Sequence, residues 1–425
     1  MNLLLLGSGG REHAIAWKIT KSPLCKKLFI APGNAGTAQC GTNVEMNVTD
    51  FDAIKKFCVN QEIDLVIVGP EEPLVKGIAD VFLADNTVNH IPVIGPSAEG
   101  AQLEGSKSFA KQFMERHNIP TATYREFDTD NFSEGIPYLQ AHPLPIVLKA
   151  DGLAAGKGVM ICQSYVEAMS EYELMINQSK FGEASRKVVV EEFLDGIEMS
   201  VFVLTDGNNH IVLPAAKDYK RVNEGDKGPN TGGMGAISPV PFADDGFMKK
   251  VNDRIIIPTV EGLKKDRIDY KGFIFIGIIK VKDEPMVIEY NCRLGDPETE
   301  VVLPRLRNDL VELFVATANQ KLSDTSVDED PRVACTVVAV SGGYPGTYEK
   351  GFPISGLDFR VPGTQIFHAG TTEKEGQTVT SGGRVLCVTS FGESIEEASE
   401  SAVEVMGEID FDGMYYRRDI GYEFK

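Results

Sequence analysis

Residues 3–6 are four leucines in a row, and Gly7 ends the run at once. An uninterrupted apolar stretch of this length reads as a strand buried on both faces of a parallel sheet. Apolar positions at helical spacing follow over 12–21, 51–61 and 75–85, and strand-like apolar runs over 28–31, 65–68 and 93–94. Strands alternating with helices predict an open parallel α/β sheet filling residues 1–104. A helix over 106–116 leads to an Asn-Ile-Pro stop at 118–120. Residues 126–186 are more polar, with a strand–loop–strand over 146–162 and a helix over 166–178. Strands dominate 187–325, at 188–192, 199–204, 273–281 and 286–293, with helices near 246–264 and 308–319. An acidic linker over 324–330, closed by Pro331, precedes strands near 333–340, 365–369 and 384–390 and a helix near 394–408. The pattern predicts a multidomain chain, part α/β and part α+β. Its units are 1–104, a core from 105–125 and 187–325, a small subdomain at 126–186, and an α+β unit at 326–425.

The strand over 286–293, within MVIEYNCRLGDPE, adds chemistry to this outline. Period-two alternation puts Met286, Ile288, Tyr290 and Cys292 on one face and Val287, Glu289, Asn291 and Arg293 on the other. A carboxylate, an amide oxygen and a guanidinium in line suit a hard cation held beside phosphate oxygens. Taken alone, the same pattern also fits an amphipathic strand with a wet outer face.

Charge and cysteine usage narrow the classes. The 425 residues carry 62 acidic and 42 basic side chains, for a net charge of −20. Such a surface repels nucleic acid and anionic lipid, so neither is expected as a partner. The hydrophobic share of 42% is that of a soluble globular protein. Seven cysteines lie scattered with no C-x-x-C pair, which fits a reducing, cytoplasmic setting and neither a disulfide framework nor a zinc site. The leucine run is too short for a signal segment or a membrane span.

Three glycine-rich loops point at phosphate. Gly7-Ser8-Gly9-Gly10-Arg11-Glu12 follows a strand and opens a helix, so its N–H groups face whatever sits there. Glu12 stands where the dinucleotide fingerprint needs its third glycine, and no acidic residue ends the next strand, which argues against a nicotinamide enzyme. Lys149-Ala150-Asp151-Gly152-Leu153-Ala154-Ala155-Gly156-Lys157-Gly158 has one residue too few between its glycines for a P-loop, and Gly158 replaces the Ser/Thr that would hold magnesium. It reads as a glycine-rich hairpin able to fold over phosphates. The third, 228–235, has too many glycines for a stable strand or helix, so its backbone either approaches a ligand or moves.

In order along the chain, these segments resemble the ATP-grasp ligases and, more closely, the glycinamide ribonucleotide synthetase family of purine biosynthesis. The motifs are GSGGREHA at 7–14, APGNAGT at 31–37, VGPEEPLVKG at 68–77, QLEGSK at 102–107, KADGLAAGKGV at 149–159, EEFLDG at 191–196, GPNTGGMGA at 228–236, EYNCRLGDPE at 289–298, SGGYPG at 341–346 and GGRVLCVT at 382–389. The resemblance implies an N-terminal preATP-grasp domain, an ATP-grasp core with a mobile lid at 126–186, and a C-terminal domain. It also implies a ligase in which glycine, 5-phosphoribosylamine and ATP give glycinamide ribonucleotide, ADP and phosphate through a glycyl phosphate. A monomer acting on small molecules is expected.

The resemblance also assigns residues. Lys107, Lys149 and the hairpin residues Gly156, Lys157 and Gly158 would bind ATP phosphates. Glu191, Glu192, Phe193 and Leu194 would form the strand cupping adenine, and Glu198 would accept from the ribose hydroxyls. Glu289 and Asn291 would hold Mg²⁺ or Mn²⁺. No carboxylate lies in 273–279, where many ATP-grasp enzymes add one. Arg293 would neutralise the acyl phosphate, its alternative being a pairing with Asp296 or Glu298. Asp218 and Lys220 would meet glycine and phosphate. Gly9, Gly10, Arg11, Glu12, Gly69, Pro70 and Glu71 would bind phosphoribosylamine, with Asp296, Pro297 and Glu298 also facing substrate. His13 reads as structural. Tyr219 stands where the family usually has histidine, and Glu300 where it usually has glutamine. Two rival readings keep the fold: another ATP-grasp carboxylate–amine ligase, and a non-catalytic nucleotide sensor.

Overall fold

The leucine run becomes the central strand of the first sheet in the computed structural model, which describes residues 1–153 and 158–425. Strands Thr42–Asn43, Lys27–Pro32, Asn2–Gly7, Leu65–Val68 and Val93–Ile94 lie side by side in that order, all parallel. Leu4 and Leu6 enter one hydrophobic core and Leu3 and Leu5 another. Burial on both faces is why the run does not alternate. The helix after it starts earlier than its apolar spacing implied, at Gly10–Ile19. The single helix expected over 75–85 is two, Glu71–Val75 and Ile78–Ala84, broken at Gly77, whose φ of +82° favours glycine.

A second sheet of eight strands runs through the rest of the molecule. In spatial order these are Glu284–Asn291, Gly272–Val281, Ile197–Thr205, His210–Asp218, Gly235–Ser238, Val333–Val340, Arg384–Gly392 and Thr364–His368, all antiparallel. Strands from 187–325 and from 326–425 therefore share one sheet, joined where Gly235–Ser238 pairs with Val333–Val340. The third glycine-rich loop begins in a short strand, Lys227–Asn230, paired with Arg221–Asn223, and its last residue, Gly235, opens the joining strand, both contrary to its composition. A Cβ on Gly235 would lie 2.6 Å from the Thr336 carbonyl oxygen, so close pairing requires glycine there, and tertiary contact overrides propensity.

Residues 126–186 and their flanks form a small sheet, ordered Tyr124–Asp128, Lys187–Glu192, Ile146–Ala150, Val159–Cys162, with helices Phe132–Ala141 and Tyr165–Ile176 against it. It has a hydrophobic cluster of its own, built on Phe127, Leu148, Tyr172 and Val190. His13 is buried, and its Nδ1 accepts from the His368 N–H at 2.7 Å. Burial pushes its pKa down to about 3, so it stays neutral and ties the first helix to the last strands of the large sheet. Among the described residues no helix is long and apolar enough to cross a membrane.

Candidate active site

The strand Glu284–Asn291 is at the edge of the large sheet, and its register slips once. Val287 lies opposite Ile278 and Glu289 opposite Gly277, so Ile288 is an extra residue. This β-bulge reverses the faces. Val287 joins Tyr290 and Cys292 in the core, while Glu289 and Asn291 stay half-buried on the other side. The expectation that Val287 shares a face with Glu289 is thus corrected, because a period of two cannot count an inserted residue. Opposite Glu289, a Cβ on Gly277 would come 3.2 Å from the Glu289 Cγ. Among the described residues the Glu289 carboxylate has no hydrogen-bond or ion-pair partner. Two hard oxygen donors on one face, one of them unpaired, fit a magnesium-type ion that takes its other ligands from phosphate and water. No group of three or more His, Cys, Asp or Glu among the described residues could hold a metal, consistent with that partial set.

Arg293 does not pair with Asp296 or Glu298. Its Nη2 donates to Glu104 Oε1 at 2.7 Å and its Nε to Glu71 Oε2 at 3.3 Å. The guanidinium so joins the N-terminal sheet to the bulged strand. Asp296 pairs instead with Arg384 at 3.1 Å, and Glu298 accepts from the Ser200 hydroxyl at 3.3 Å.

Lys107 feels the charge of Glu289, while Lys149 and Lys111 gather on Glu191. Ser106 caps the helix Lys107–Arg116, accepting from Phe109 N–H, and Asp151 accepts from Ser108 N–H at 2.7 Å. Asp151 thereby anchors the base of the glycine-rich hairpin to the positive end of that helix. Lys107, at the first helical position, donates to the Gly152 carbonyl at 3.2 Å. Burial pulls its pKa down, opposed by Glu289. Lys149 is buried and reaches Glu191 Oε2 at 2.9 Å and the carbonyl of the bulged Ile288 at 3.2 Å. Lys111 approaches the same Glu191 oxygen at 3.3 Å. Glu192 accepts from Thr123 N–H at 2.7 Å, Phe193 is exposed and Leu194 half-buried, so the segment after Glu191 faces outward as an open edge. Gly158 accepts from Ala150 N–H at 2.8 Å at the neck of the hairpin. Gly156 and Lys157 lie outside the described residues.

Asp218, Lys220, Glu198 and Glu289 line one small cavity with Ser200 and Gly277. Lys220 and Glu198 are 3.1 Å apart. Asp218 holds the Lys220 pKa well above its ordinary value, and Lys220 is the main cause that lowers Glu198. Burial raises Asp218 itself. Burial, then Asp218, raises Glu298 to about 7. Strand alternation sends the neighbours the other way: Tyr219 donates to Glu423 at 2.9 Å and Lys217 pairs with Glu423 at 3.0 Å. The C-terminal turn thus grips the back of the segment that presents Asp218 and Lys220.

A second cavity, of about 480 Å³, opens at the carboxyl ends of the parallel strands. Gly9, Arg11, Glu12, Pro70 and Asp296 line it. Glu12 accepts from Gly9 N–H at 2.7 Å and meets Arg11 Nε at 2.5 Å. The Arg11 guanidinium is buried and also donates to the Leu294 carbonyl, and the Arg11 backbone N–H donates to Asp296 Oδ2 at 3.1 Å, so the N–H groups of Gly9 and Arg11 are engaged by carboxylates that line the same cavity. Gly10, Gly69, Glu71, Pro297 and Glu298 do not line it. A Cβ on Gly69 would be 2.1 Å from Glu12, and one on Gly10 2.3 Å from Glu300.

Sequence profiles of phosphoribosylglycinamide synthetase match nearly the whole chain: the N domain at 1–104, the ATP-grasp (A) domain at 105–299 and the C domain at 334–423. The chain belongs to the phosphoribosylglycinamide synthetase family. A phosphoribosylamine–glycine ligase of Vibrio vulnificus (strain CMCP6) is 46% identical over 99% of this chain and 98% of its own length. That of Escherichia coli (strain K12) is also 46% identical, over 99% and 98%. The crystal structure of the Thermotoga maritima phosphoribosylamine–glycine ligase superposes with a TM-score of 0.85 at 35% identity, covering 99% of this chain and all of that one. A biotin carboxylase domain of Hydrogenobacter thermophilus, solved with MgADP and bicarbonate, gives a TM-score of 0.73 at 16% identity, covering 98% and 91%, which is a likeness of fold.

Within this synthetase-family fold, several residues at the cavities escaped the sequence reading. Met46, Asn47 and Val48 line the second cavity from a segment with neither period nor glycine signal. Glu104, Lys111 and Asp151 sit in amphipathic or loop contexts where a charge reads as solvated. The two departures from the family pattern now have a physical account. Tyr219 is buried and held by Glu423. Glu300 is fully buried with one oxygen unpartnered, and burial pushes its pKa well up. A protonated Glu300 has the shape of the usual glutamine and one donor in the same place.

Proposed function

We propose that this chain is an ATP-dependent ligase joining glycine to 5-phosphoribosylamine, giving glycinamide ribonucleotide, ADP and phosphate in purine biosynthesis. The observation that carries the reading is Arg293, held between Glu71 at the N-terminal sheet and Glu104 beside the bulged strand. Along the chain it lies between Glu289, which lines the first cavity, and Asp296, which lines the second, a placement that suits a reaction passing an activated intermediate between two substrates.

In this reading Lys107 and Lys149 bind the triphosphate as mobile point charges. Residues 191–194 receive adenine and Glu198 the ribose. Asp218 pairs with the glycine ammonium and Lys220 steadies the transferring phosphoryl group. Glu289 and Asn291 hold Mg²⁺ or Mn²⁺, which when bound neutralises phosphate charge. Glycine's carboxylate forms a bond to the γ-phosphorus as the bond to ADP breaks. Arg293 stabilises the resulting glycyl phosphate with a planar fork. The amine of phosphoribosylamine, oriented by the backbone of 9–12 and by Glu71, then attacks the acyl carbon and phosphate leaves. Residues 126–186 close as a lid and keep water off the anhydride.

Phosphate release from ATP should require both glycine and phosphoribosylamine. A requirement for bicarbonate would instead support a carboxyphosphate-type ligase, and nucleotide binding without turnover a sensor. Amide hydrogen exchange over 126–186 should slow when ATP is added. Unchanged exchange there would remove the lid from the proposal.

A further inference from the structure

Lys111 is 2% exposed, among the most buried cations of the described residues, and lies on the inner face of the helix that begins with Lys107. Its three N–H donors are taken: Thr121 Oγ1 at 2.8 Å, the Ala122 carbonyl at 3.2 Å and Glu191 Oε2 at 3.3 Å. An ammonium has three donors and no more, so Lys111 has nothing left to offer a ligand. Lys149 is different. Among the described residues it has two partners, Glu191 Oε2 and the Ile288 carbonyl, and therefore a spare donor.

Both lysines share one oxygen of Glu191, which is 3% exposed, while Oε1 has no partner. The cluster holds two positive charges and one negative, all buried. If Lys149 alone faced Glu191, drawing it away would strand a carboxylate without compensation, and an unpaired buried charge is strongly unfavourable. With Lys111 in place, the departure of Lys149 leaves a neutral pair behind. Thr121 braces the arrangement, donating to the Val287 carbonyl at 2.7 Å next to the bulge.

We propose that Lys111 is a positioning residue: it keeps Glu191 compensated so that Lys149 can leave that carboxylate for a nucleotide phosphate. This rests on the reading above in which Lys149 binds phosphate. It goes beyond that reading by assigning the exchange to a residue that itself touches no ligand.

The test measures equilibrium binding of Mg·ADP and of a non-hydrolysable ATP analogue by calorimetry, with no ligation required. Lys111→Met should weaken binding on the order of a hundredfold per folded molecule. Adding Glu191→Gln in the same chain should restore it to within roughly threefold of Glu191→Gln alone, since no charge is then stranded. A purely structural Lys111 would lower the melting temperature without this rescue. Unchanged affinity in Lys111→Met, or a double variant as weak as the single one, overturns the proposal. The unaltered protein gives a second check that needs no variant. A crystal structure with nucleotide should show Lys149 Nζ on a phosphate oxygen and Lys111 still on Glu191. Lys149 remaining on Glu191, or Lys111 leaving it, overturns the proposal. Neither outcome depends on glycine or phosphoribosylamine, so failure of the ligase reading in the phosphate-release assay is a separate result.

Discussion

Glu289→Ala should lower phosphate release by about a hundred- to a thousandfold while the melting temperature barely moves. Both halves follow from one geometry. The carboxylate sits on an edge strand, half-buried, with no protein partner among the described residues. Removing it strands no donor, and the strand keeps its backbone pairing with Gly272–Val281. Stability should therefore change by about 0.5 kcal/mol or less, as at ordinary surface sites. What is lost is the negative oxygen that offsets Lys107 and holds a cation against phosphate. Parallel steady-state assays and thermal melts decide it. Ligation at a near-normal rate would remove the metal assignment, and a collapse of the melting temperature would make Glu289 a structural residue.

Much of this site was legible because its chemistry sits on regular elements. The four leucines could only be a doubly buried strand, so the loop after them had to lie at the ligand end of a parallel sheet. The lysine of Lys149 rises from a strand whose antiparallel partner begins at Val159, as the hairpin reading required. What escaped notice depends on contacts between distant segments. The bulge at Ile288 is invisible to alternation, yet it aims Glu289 and lends its carbonyl to Lys149. Gly235–Ser238 is held as a strand between His210–Asp218 and Val333–Val340, the second of them nearly a hundred residues on. Arg11 reads as a free cation after a glycine loop, and is instead spent on Glu12 and Leu294. Glu104 looks like a helix-surface acid. Its burial becomes apparent only once Cys292 and Arg293 are brought against it.

That contact makes Arg293 the position where activity and stability are both at stake. Arg293→Leu should abolish ligation and destabilise the fold by about 3–5 kcal/mol, the usual result of breaking one side of a buried pair. The Glu104 side chain is only 6% exposed, and burial already raises its pKa against the pull of Arg293. Without the guanidinium it keeps the Cys292 N–H at 2.8 Å and the thiol at 3.1 Å, neither of them charged. Its pKa must then climb further. Above that pKa the carboxylate is stranded and the variant is weakest; as pH falls through it, Glu104 takes up a proton and part of the loss is recovered. Relative to wild type, Arg293→Leu should therefore regain stability on mild acidification. Adding Glu104→Gln should recover most of the stability at neutral pH and none of the activity, because the amide needs no counter-charge but the acyl phosphate still does. Arg293→Lys keeps the charge without the fork, so it should stay folded and lose turnover rather than nucleotide affinity. Denaturant melts at two pH values, set beside phosphate-release rates, separate these effects. Activity returning with stability in the double variant would mean that Arg293 serves only to hold the sheets together.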